Sequence, residues 1–227
     1  MGTQLVVFDI AGTTVRDKGN INEVFRMAFK NAGIEDVRAE EVDEVMGYKK
    51  IDAIRTLVAK YKTGYEQKEE FLEGIHQDFT RQMVQYYLNC EDLSPLPFAE
   101  EVFQELQSHN IRVALNTGFT REITTAVLNR LGWDRAAFID AVVCSDEVPK
   151  GRPHPFMIEK LMRDLKIQYP DDVVKVGDTK VDIEEGLNAS CGIVVGITTG
   201  AYQKEELLKS HPDYIIDSLN NLPSLIL

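Results

Sequence analysis

The stretch QLVVFDIAGTT, residues 4–14, decides the fold class, because a short apolar run leads into an aspartate and then a glycine-containing turn. The strand predicted at residues 4–10 is built on the continuous apolar run LVVF, which is typical of a strand covered on both faces in a parallel sheet. Asp9 falls near the end of this run, so its carboxylate is expected at the sheet edge. A strand-end aspartate followed by a Gly-Thr turn is typical of a site that handles phosphoryl groups. Such a site often has a second acid two residues after the aspartate, where this chain has Ala11.

Five more runs along the chain repeat the strand pattern, and helical periodicity separates them. Strands are predicted at residues 4–10, 111–117, 138–144, 173–178, 192–197 and 213–217, and helices at about 98–108, 120–131, 155–166, 179–189 and 203–209. Start signals at Thr120 and at His154-Pro155, and Gly132 after a helix end, support these bounds. The alternation predicts an α/β fold with a doubly wound parallel-sheet, Rossmann-like core.

Residues 20–89 contain no convincing strand and predict an all-helical insertion. Two apolar stripes at helical spacing comprise Ile51, Ile54, Leu57, Val58 and Tyr61, and Leu72, Ile75, Phe79, Met83 and Tyr86. An insertion directly after the first strand is expected to cover the carboxyl edge of the sheet, where such sheets bind ligands. We therefore predict a core of residues 1–15 and 95–227 and a helical cap of residues 16–94, with hinges at 15–20 and 90–97.

Composition limits the classes of function. The chain has 227 residues, of which 44% are hydrophobic and 27% charged, as in ordinary globular proteins. A net charge of −12 argues against a nucleic-acid partner. Neither a membrane-spanning run of about 20 apolar residues nor a secretory leader is recognisable, so we expect a cytoplasmic protein without a membrane partner. The scattered cysteines and histidines predict no disulfide framework or zinc site. Whether the chain forms a homodimer is left open.

Two aspartates end predicted strands that are expected to be neighbours. Asp9 and Asp178 would then meet at one edge of the sheet and form an all-oxygen pocket suited to Mg²⁺. The loop 11–14 between them in space can present backbone N–H groups to a phosphoryl oxygen, and Gly12 permits close approach. These residue types predict a site for a phosphorylated small molecule.

Other polar groups follow further strand ends. Thr117 offers a hydroxyl with the Gly118 N–H beside it, and Arg152 could hold the negative charge of a transferring group. Each has a simpler interpretation: Thr117 as the start of a turn, Arg152 as a solvated loop residue, and Thr179 with Asp182 as a helix-capping box. The ordered set, with each member at the carboxyl end of a strand, favours the catalytic interpretation.

The motifs DIAGTTV, NTG, GRPHP and GDTKVD together resemble the four motifs of the haloacid dehalogenase-like superfamily, along the whole chain. Its members use an aspartate nucleophile and Mg²⁺. Most phosphatases of the superfamily have an acid at the position of Ala11 and a lysine near the third motif. DIAGTTV, the arginine of GRPHP and the segment MGYKKID are instead similar to the phosphonatases (phosphonoacetaldehyde hydrolases) and to their phosphonatase-like sister group.

The resemblance assigns roles to residues of this chain. It implies that Asp9 is the nucleophile and that Mg²⁺ is held by Asp9, the backbone carbonyl of Ala11 and Asp178, with Asp182 orienting the metal's waters. It also implies a set of substrate-binding residues, which are Gly12, Thr13, Gly47, Thr117, Gly118 and Arg152. The expected enzyme is a Mg²⁺-dependent phosphonatase-like hydrolase.

The absence of an acid at Ala11 agrees with cleavage of a carbon–phosphorus bond. A phosphate ester expels an alkoxide that needs a proton, whereas a phosphonate expels a carbanion that needs an electron sink. By resemblance, Lys50 supplies the sink by forming an imine (a Schiff base) with an aldehyde or ketone on the substrate. The adjacent Lys49 is the near alternative. The chain departs from phosphonatases at Ala53, where they carry a histidine, and at Gly19, where they carry a cysteine.

Two other classes remain open from the sequence. A phosphatase of a small phosphomonoester on the same fold would retain its activity without Lys50. A non-catalytic binding domain would release no phosphate at all. The expected substrate is phosphonoacetaldehyde or another 2-oxo-phosphonate.

Overall fold

A computed structural model describes residues 2–227 and contains one six-stranded parallel sheet. The strands are β1 (Leu5–Asp9), β2 (Arg112–Thr117), β3 (Ala141–Cys144), β4 (Val173–Gly177), β5 (Ile193–Ile197) and β6 (Tyr214–Ile216). Their order across the sheet is β3-β2-β1-β4-β5-β6, and all neighbouring strands run parallel. The predicted α/β parallel-sheet core is therefore confirmed.

Ten α-helices flank or cap this sheet within the described residues. They are α1 (Asn20–Asn31), α2 (Ala39–Asp43), α3 (Lys50–Tyr61), α4 (Glu69–Asn89), α5 (Ala99–Ser108), α6 (Arg121–Leu131), α7 (Phe156–Leu165), α8 (Lys180–Asn188), α9 (Lys204–Leu207) and α10 (Pro223–Ile226). The predicted start and stop signals are present: Thr120 accepts a hydrogen bond from the Ile123 N–H, and Gly132 ends α6 with φ 72°. No helix in residues 2–227 is long and apolar enough to cross a membrane.

Strand β1 shows why the apolar runs are continuous. Val6 and Phe8 are buried in one hydrophobic cluster, and Leu5 and Val7 are buried in another on the opposite face of the sheet. Alternate side chains of a strand point to opposite faces, so a strand covered on both sides must be apolar throughout. One prediction was too long: β3 begins at Ala141 and not at residue 138.

The segment between β1 and α5 contains helices α1 to α4, as the two apolar stripes predicted. In the second stripe the last buried residue is Tyr87, whereas the predicted Tyr86 is only half-buried. Tyr87 follows Met83 by four residues and therefore continues the same face of α4. Phe25 of α1 packs on Phe79 of α4 with ring centroids 4.7 Å apart. The domain boundaries at 15/16 and 94/95 stay a prediction.

The two predicted hinges run beside each other. The Leu96 N–H donates to the Thr14 carbonyl at 2.8 Å, and the Arg16 N–H donates to the Ser94 carbonyl at 3.2 Å. Outside this pair of hydrogen bonds, the exposed side chains of Lys18 and Asp92 form an ion pair. The entry and exit of the helical segment are thus tied together at one place on the core.

Candidate active site

A cavity of about 220 Å³ lies at the carboxyl edge of the sheet, between the core and the helical segment. Its lining includes Asp9, Ala11, Gly12, Gly47, Lys50, Thr117, Gly118 and Asp178, which were all predicted as site residues. Three other predicted residues lie behind this lining: Thr13 donates to Asp178, Arg152 pairs with Asp9, and Asp182 pairs with Arg152. The predicted site residues thus lie together, and they form two groups: those that line the cavity and those that contact the lining residues from behind.

Asp9 ends β1, the central strand, and its side chain is only 5% exposed. Its Oδ1 accepts a hydrogen bond from Arg152 Nη1 at 2.6 Å, while no described residue donates to Oδ2. Burial raises the pKa of Asp9 to about 6, the Asp182 carboxylate acts in the same direction, and Arg152 opposes them. One carboxylate oxygen is therefore fixed by a cation, and the side chain presents its other oxygen without a protein donor.

Arg152 is among the most deeply buried large side chains, with 2% exposure. The simpler interpretation of Arg152 as a solvated loop residue is therefore wrong. Besides Asp9, the guanidinium contacts Asp182 Oδ1 at 3.0 Å and Glu185 Oε2 at 3.0 Å, and it donates to the backbone carbonyl and side-chain oxygen of Asn116. The neighbouring carboxylates outweigh burial and raise the pKa of Arg152, so the group stays charged. Its planar fork of donors suits such a multiple contact.

Three members of this buried network were missed by the sequence reasoning: Asn116, Lys175 and Glu185. Lys175 lies on β4 with no exposed surface, donates to Asn116 Oδ1 at 2.7 Å, and pairs with Asp182 at 2.9 Å. It also pairs with Glu185 at 3.3 Å. The available signal was a lysine inside VVKVGD, a run that otherwise reads as a strand buried on both faces. A charged group there needs buried partners.

Asp178 forms the second carboxylate of the cavity. Its Oδ1 accepts from Thr13 Oγ1 at 2.9 Å and its Oδ2 from the Ala201 N–H at 2.8 Å. Burial, and then the carboxylates of Asp9 and Asp182, raise the pKa of Asp178 well above its usual value. Across residues 2–227, no lysine or arginine pairs with it.

This arrangement fits a divalent cation. Asp9 and Asp178 are both buried, line the same cavity and repel each other electrostatically. A hard cation bound by oxygen ligands would offset that repulsion. Within the described chain no group of three acidic, histidine or cysteine side chains is arranged to hold a metal ion, so the backbone carbonyl of Ala11 would have to complete the protein ligands. Two carboxylates and one carbonyl are a donor set that suits Mg²⁺.

The position of Gly12 leaves no room for a side chain. Gly12 has φ 87°, and a Cβ there would lie 2.5 Å from Asp178 Oδ2 and 2.9 Å from the Gly200 backbone. Thr13, next to it, was predicted to bind substrate, but its hydroxyl is directed to Asp178. Thr117 and Gly118 lie on the cavity wall, where the Thr117 hydroxyl accepts from the Phe119 N–H at 3.2 Å.

Asp182 supports the site from the first turn of α8. It forms the predicted capping box with Thr179. Burial acts to raise the pKa of Asp182, but Arg152 and Lys175 outweigh it and hold this pKa below its usual value. Asp182 is therefore a charged anchor for Arg152 as well as a helix cap.

Lys50 is the first residue of α3 and lies on the cavity wall with 4% exposure. Its Nζ is 3.4 Å from the Tyr48 carbonyl oxygen and 5.2 Å from the centroid of the Phe119 ring. Burial lowers the pKa of Lys50 from 10.5 to about 8. The neighbouring Lys49 instead donates to the Val148 carbonyl at 3.3 Å and does not line the cavity. Of the two lysines, Lys50 is the one placed with Asp9.

The segment that carries Lys50 packs tightly on the core. A Cβ at Gly118 would lie 2.3 Å from the Tyr48 backbone oxygen, and one at Gly151 would lie 2.5 Å from the Cβ of Lys49. On the other side, Gly47 has φ 84°, and its Cβ would meet Thr179 Oγ1 at 2.4 Å. Glycines on both sides of the contact thus allow the backbone that precedes α3 to approach the sheet edge.

The chain is similar to known proteins in both sequence and fold. Residues 6–196 match the family described as haloacid dehalogenase-like hydrolase. A phosphonoacetaldehyde hydrolase of Parabacteroides distasonis is 30% identical and covers 97% of this chain, which in turn covers 94% of that relative.

Two solved structures share the fold. A phosphonoacetaldehyde hydrolase-like protein from Oleispira antarctica has a TM-score of 0.83 and 25% identity, with coverage of 100% of this chain and 92% of that one. A predicted phosphoglycolate phosphatase from Haemophilus somnus has a TM-score of 0.80 and 19% identity, with coverage of 99% and 98%. The second likeness is one of fold alone.

Proposed function

The chain belongs to the haloacid dehalogenase-like hydrolase family and is therefore a hydrolase, and we propose that it cleaves the carbon–phosphorus bond of phosphonoacetaldehyde or a related 2-oxo-phosphonate. One observation carries this proposal: the Asp9 carboxylate and the buried amine of Lys50 line the same small cavity. A phosphate ester without a carbonyl group offers an amine nothing to react with, whereas a 2-oxo-phosphonate offers both a phosphorus atom and a carbonyl carbon. The similarity to phosphonoacetaldehyde hydrolases supports the same substrate class.

On the carbon side, the neutral amine of Lys50 attacks the substrate carbonyl and forms a protonated imine. The cationic C=N bond then accepts the electron pair that the breaking C–P bond releases, and an enamine results. A pKa of about 8 leaves an appreciable fraction of Lys50 neutral near pH 7, in contrast to an ordinary lysine. Ala11 fits this chemistry, because a leaving group stabilised as an enamine needs no acid beside the nucleophile.

On the phosphorus side, the carboxylate of Asp9 attacks in line with the departing carbon and becomes an aspartyl phosphate, which water later hydrolyses. Arg152 fixes the nucleophile and opposes the rise in its pKa, and the backbone of Gly12 and Gly118, which line the cavity, would contact phosphoryl oxygens. A Mg²⁺ ion held by Asp9, the Ala11 carbonyl and Asp178 would neutralise the phosphoryl oxygens. Asp182 would support this arrangement from behind through Arg152.

A substrate panel tests the proposal. Phosphate release should be faster from phosphonoacetaldehyde than from para-nitrophenyl phosphate, and Lys50→Ala should abolish release from the phosphonate. Lys49→Ala is the matched control and should retain activity, because Lys49 points to the Val148 carbonyl and away from the cavity. Equal rates on the two substrates, or full phosphonate activity in Lys50→Ala, would refute the proposal in favour of a phosphomonoester phosphatase.

A further inference from the structure

Imine formation requires proton transfers that the residues assigned above do not supply. The ammonium of Lys50 must lose a proton before it attacks, and the hydroxyl of the resulting carbinolamine must gain one before it leaves as water. Ala11 and Ala53 have no ionisable group. Asp9 acts at phosphorus and is bound by Arg152.

The cavity contains one further candidate for this task. Its ionisable lining residues, taken over the described chain, are Asp9, Asp17, Asp43, Lys50 and Asp178. Both oxygens of Asp178 already accept hydrogen bonds, from Thr13 and from the Ala201 N–H, and Asp43 is exposed to solvent. Asp17 remains: it is half-buried and approaches the cavity from the linker that leads into α1.

Asp17 is held in place by backbone. The Gly19 N–H donates to its Oδ1 at 3.1 Å, and the N–H groups of Asn20 and Ile21 also stabilise its negative charge at the start of α1. Gly19 makes this turn with φ 84°. The carboxylate is therefore positioned by the helix end and not by a flexible side-chain pairing.

Asp17 and Lys50 act on each other electrostatically. Both residues line the same cavity, and each charge favours the charged form of the other. Burial raises the pKa of Asp17 and lowers that of Lys50, which brings the two affinities for a proton nearer to each other. Tyr86 and Tyr87 of α4 also lie within electrostatic range of Asp17. A smaller difference in pKa makes proton exchange between acid and amine less costly.

We infer that Asp17 is a proton-transfer residue for imine formation at Lys50, an inference that rests on the function proposed above. Asp17 takes a proton from the Lys50 ammonium, and the neutral amine forms a C–N bond to the carbonyl carbon. The carbonyl oxygen becomes a hydroxyl with a proton from that nitrogen. Asp17 then returns its proton to the hydroxyl, the C–O bond breaks, and water leaves as the nitrogen lone pair forms C=N. One ammonium and one carbonyl yield one protonated imine and one water, and Asp17 ends as a carboxylate.

The test compares Asp17→Asn with Asp17→Glu. Asparagine keeps an oxygen that can accept from the Gly19 N–H, so the local fold should persist while proton transfer is lost. We expect turnover of phosphonoacetaldehyde by Asp17→Asn to fall by about 100-fold, the usual contribution of one acid–base group, with a smaller change in KM. Asp17→Glu should recover part of the rate.

Two controls separate proton transfer from structure. Glu23→Gln removes an exposed acid from the same first turn of α1 and should leave turnover unchanged. Added formate should raise the rate of Asp17→Ala, because a small acid can enter the space that the side chain vacates, and should have no effect on Glu23→Gln.

The outcomes are distinguishable from those for the function itself. Unchanged phosphonate turnover in Asp17→Asn would overturn the inference, and so would equal losses on phosphonoacetaldehyde and para-nitrophenyl phosphate, which would indicate a structural role. In contrast, if wild-type protein forms no borohydride-trapped adduct on Lys50, the proposed function fails, and the role of Asp17 fails with it.

Discussion

Arg152 Nη1 lies 2.6 Å from Asp9 Oδ1, and both side chains are almost completely buried. Because Arg152 also contacts Asp182, Glu185 and Asn116, its position is fixed from several directions. The nucleophile proposed for this enzyme is thus oriented by a cation that the sequence places in a loop more than 140 positions away. The contacts of Arg152 therefore both orient the proposed nucleophile and contribute to the stability of the fold.

Replacement of the proposed nucleophile is the first prediction. Asp9→Asn should reduce phosphate release from phosphonoacetaldehyde to background, because an amide cannot form the aspartyl phosphate. The variant should still fold, since Arg152 keeps its contacts to Asp182 and Glu185. Rapid quenching followed by mass spectrometry should find phosphate on Asp9 in wild type and none in Asp9→Asn. A variant that turns over at an appreciable rate would exclude the covalent path.

Removal of Arg152 should cost stability as well as activity. Arg152→Met leaves several buried acceptors without their cation, and loss of one partner from a buried ion pair costs about 3 kcal/mol or more. Arg112→Met is the control: Arg112 pairs with Asp140 while 59% exposed, and such surface pairs contribute about 1 kcal/mol or less. Denaturant unfolding of both variants measures the difference. Equal stabilities would show that the buried network is not energetically important.

The fold could be predicted from the sequence because its signals are local. Continuous apolar runs gave the strands of the core, and capping residues such as Thr120 and Gly132 gave helix ends. Asp9 and Asp178 could also be predicted to lie at the carboxyl edge of the sheet, because each comes at the end of a predicted strand. Where these signals weakened, as before β3, the predicted bounds were less accurate.

The buried network around Arg152 could not be predicted in the same way. Its contacts join residues 116, 152, 175 and 185, which are far apart in sequence and meet only through the strand order. The burial of Lys50 also depends on tertiary contacts. In the sequence, two adjacent lysines are typical of a solvent-exposed helix. Lys50 is buried because residues 47–49 approach Gly118 and Gly151 of the core. Sequence spacing therefore identified candidates but not their environments.

The lowered pKa of Lys50 predicts a pH-dependent cost in stability. Below pH 8 the folded protein must bury a charged amine, and the full penalty is present. As pH rises from 8 to 10.5 the folded protein loses this proton before the unfolded chain does, and the penalty disappears. A fall from 10.5 to about 8 corresponds to roughly 3 kcal/mol. Lys50→Met should therefore be more stable than wild type at pH 7.

Chemical denaturation across this pH range checks the prediction. The advantage of Lys50→Met should shrink between pH 8 and 10.5, and Lys49→Met, which alters the residue outside the cavity, should show no such trend. A Lys50→Met protein that is less stable than wild type at pH 7 would contradict a buried, destabilised amine.

Close approach at Gly118 predicts a specific effect on catalysis. A Cβ there would lie 2.3 Å from the Tyr48 oxygen, so Gly118→Ala must push the segment before α3 away from the core. Lys50 would move with it, and phosphonate turnover should fall more than turnover of para-nitrophenyl phosphate. Gly74 is an exposed position of α4, where a Cβ would meet no atom within 4 Å, so Gly74→Ala should stabilise the protein by roughly 0.5–1 kcal/mol without loss of activity. Full phosphonate activity in Gly118→Ala would show that this contact does not position Lys50.

The most direct test of the account is to trap the imine. Incubation with phosphonoacetaldehyde and borohydride should inactivate the enzyme, and peptide mass spectrometry should locate a reduced two-carbon adduct on Lys50. Lys49→Ala should be labelled as wild type is, because Lys49 lies outside the cavity. We expect the adduct on Lys50, and an unmodified Lys50 in an enzyme that still releases phosphate from phosphonoacetaldehyde would exclude imine formation at this residue.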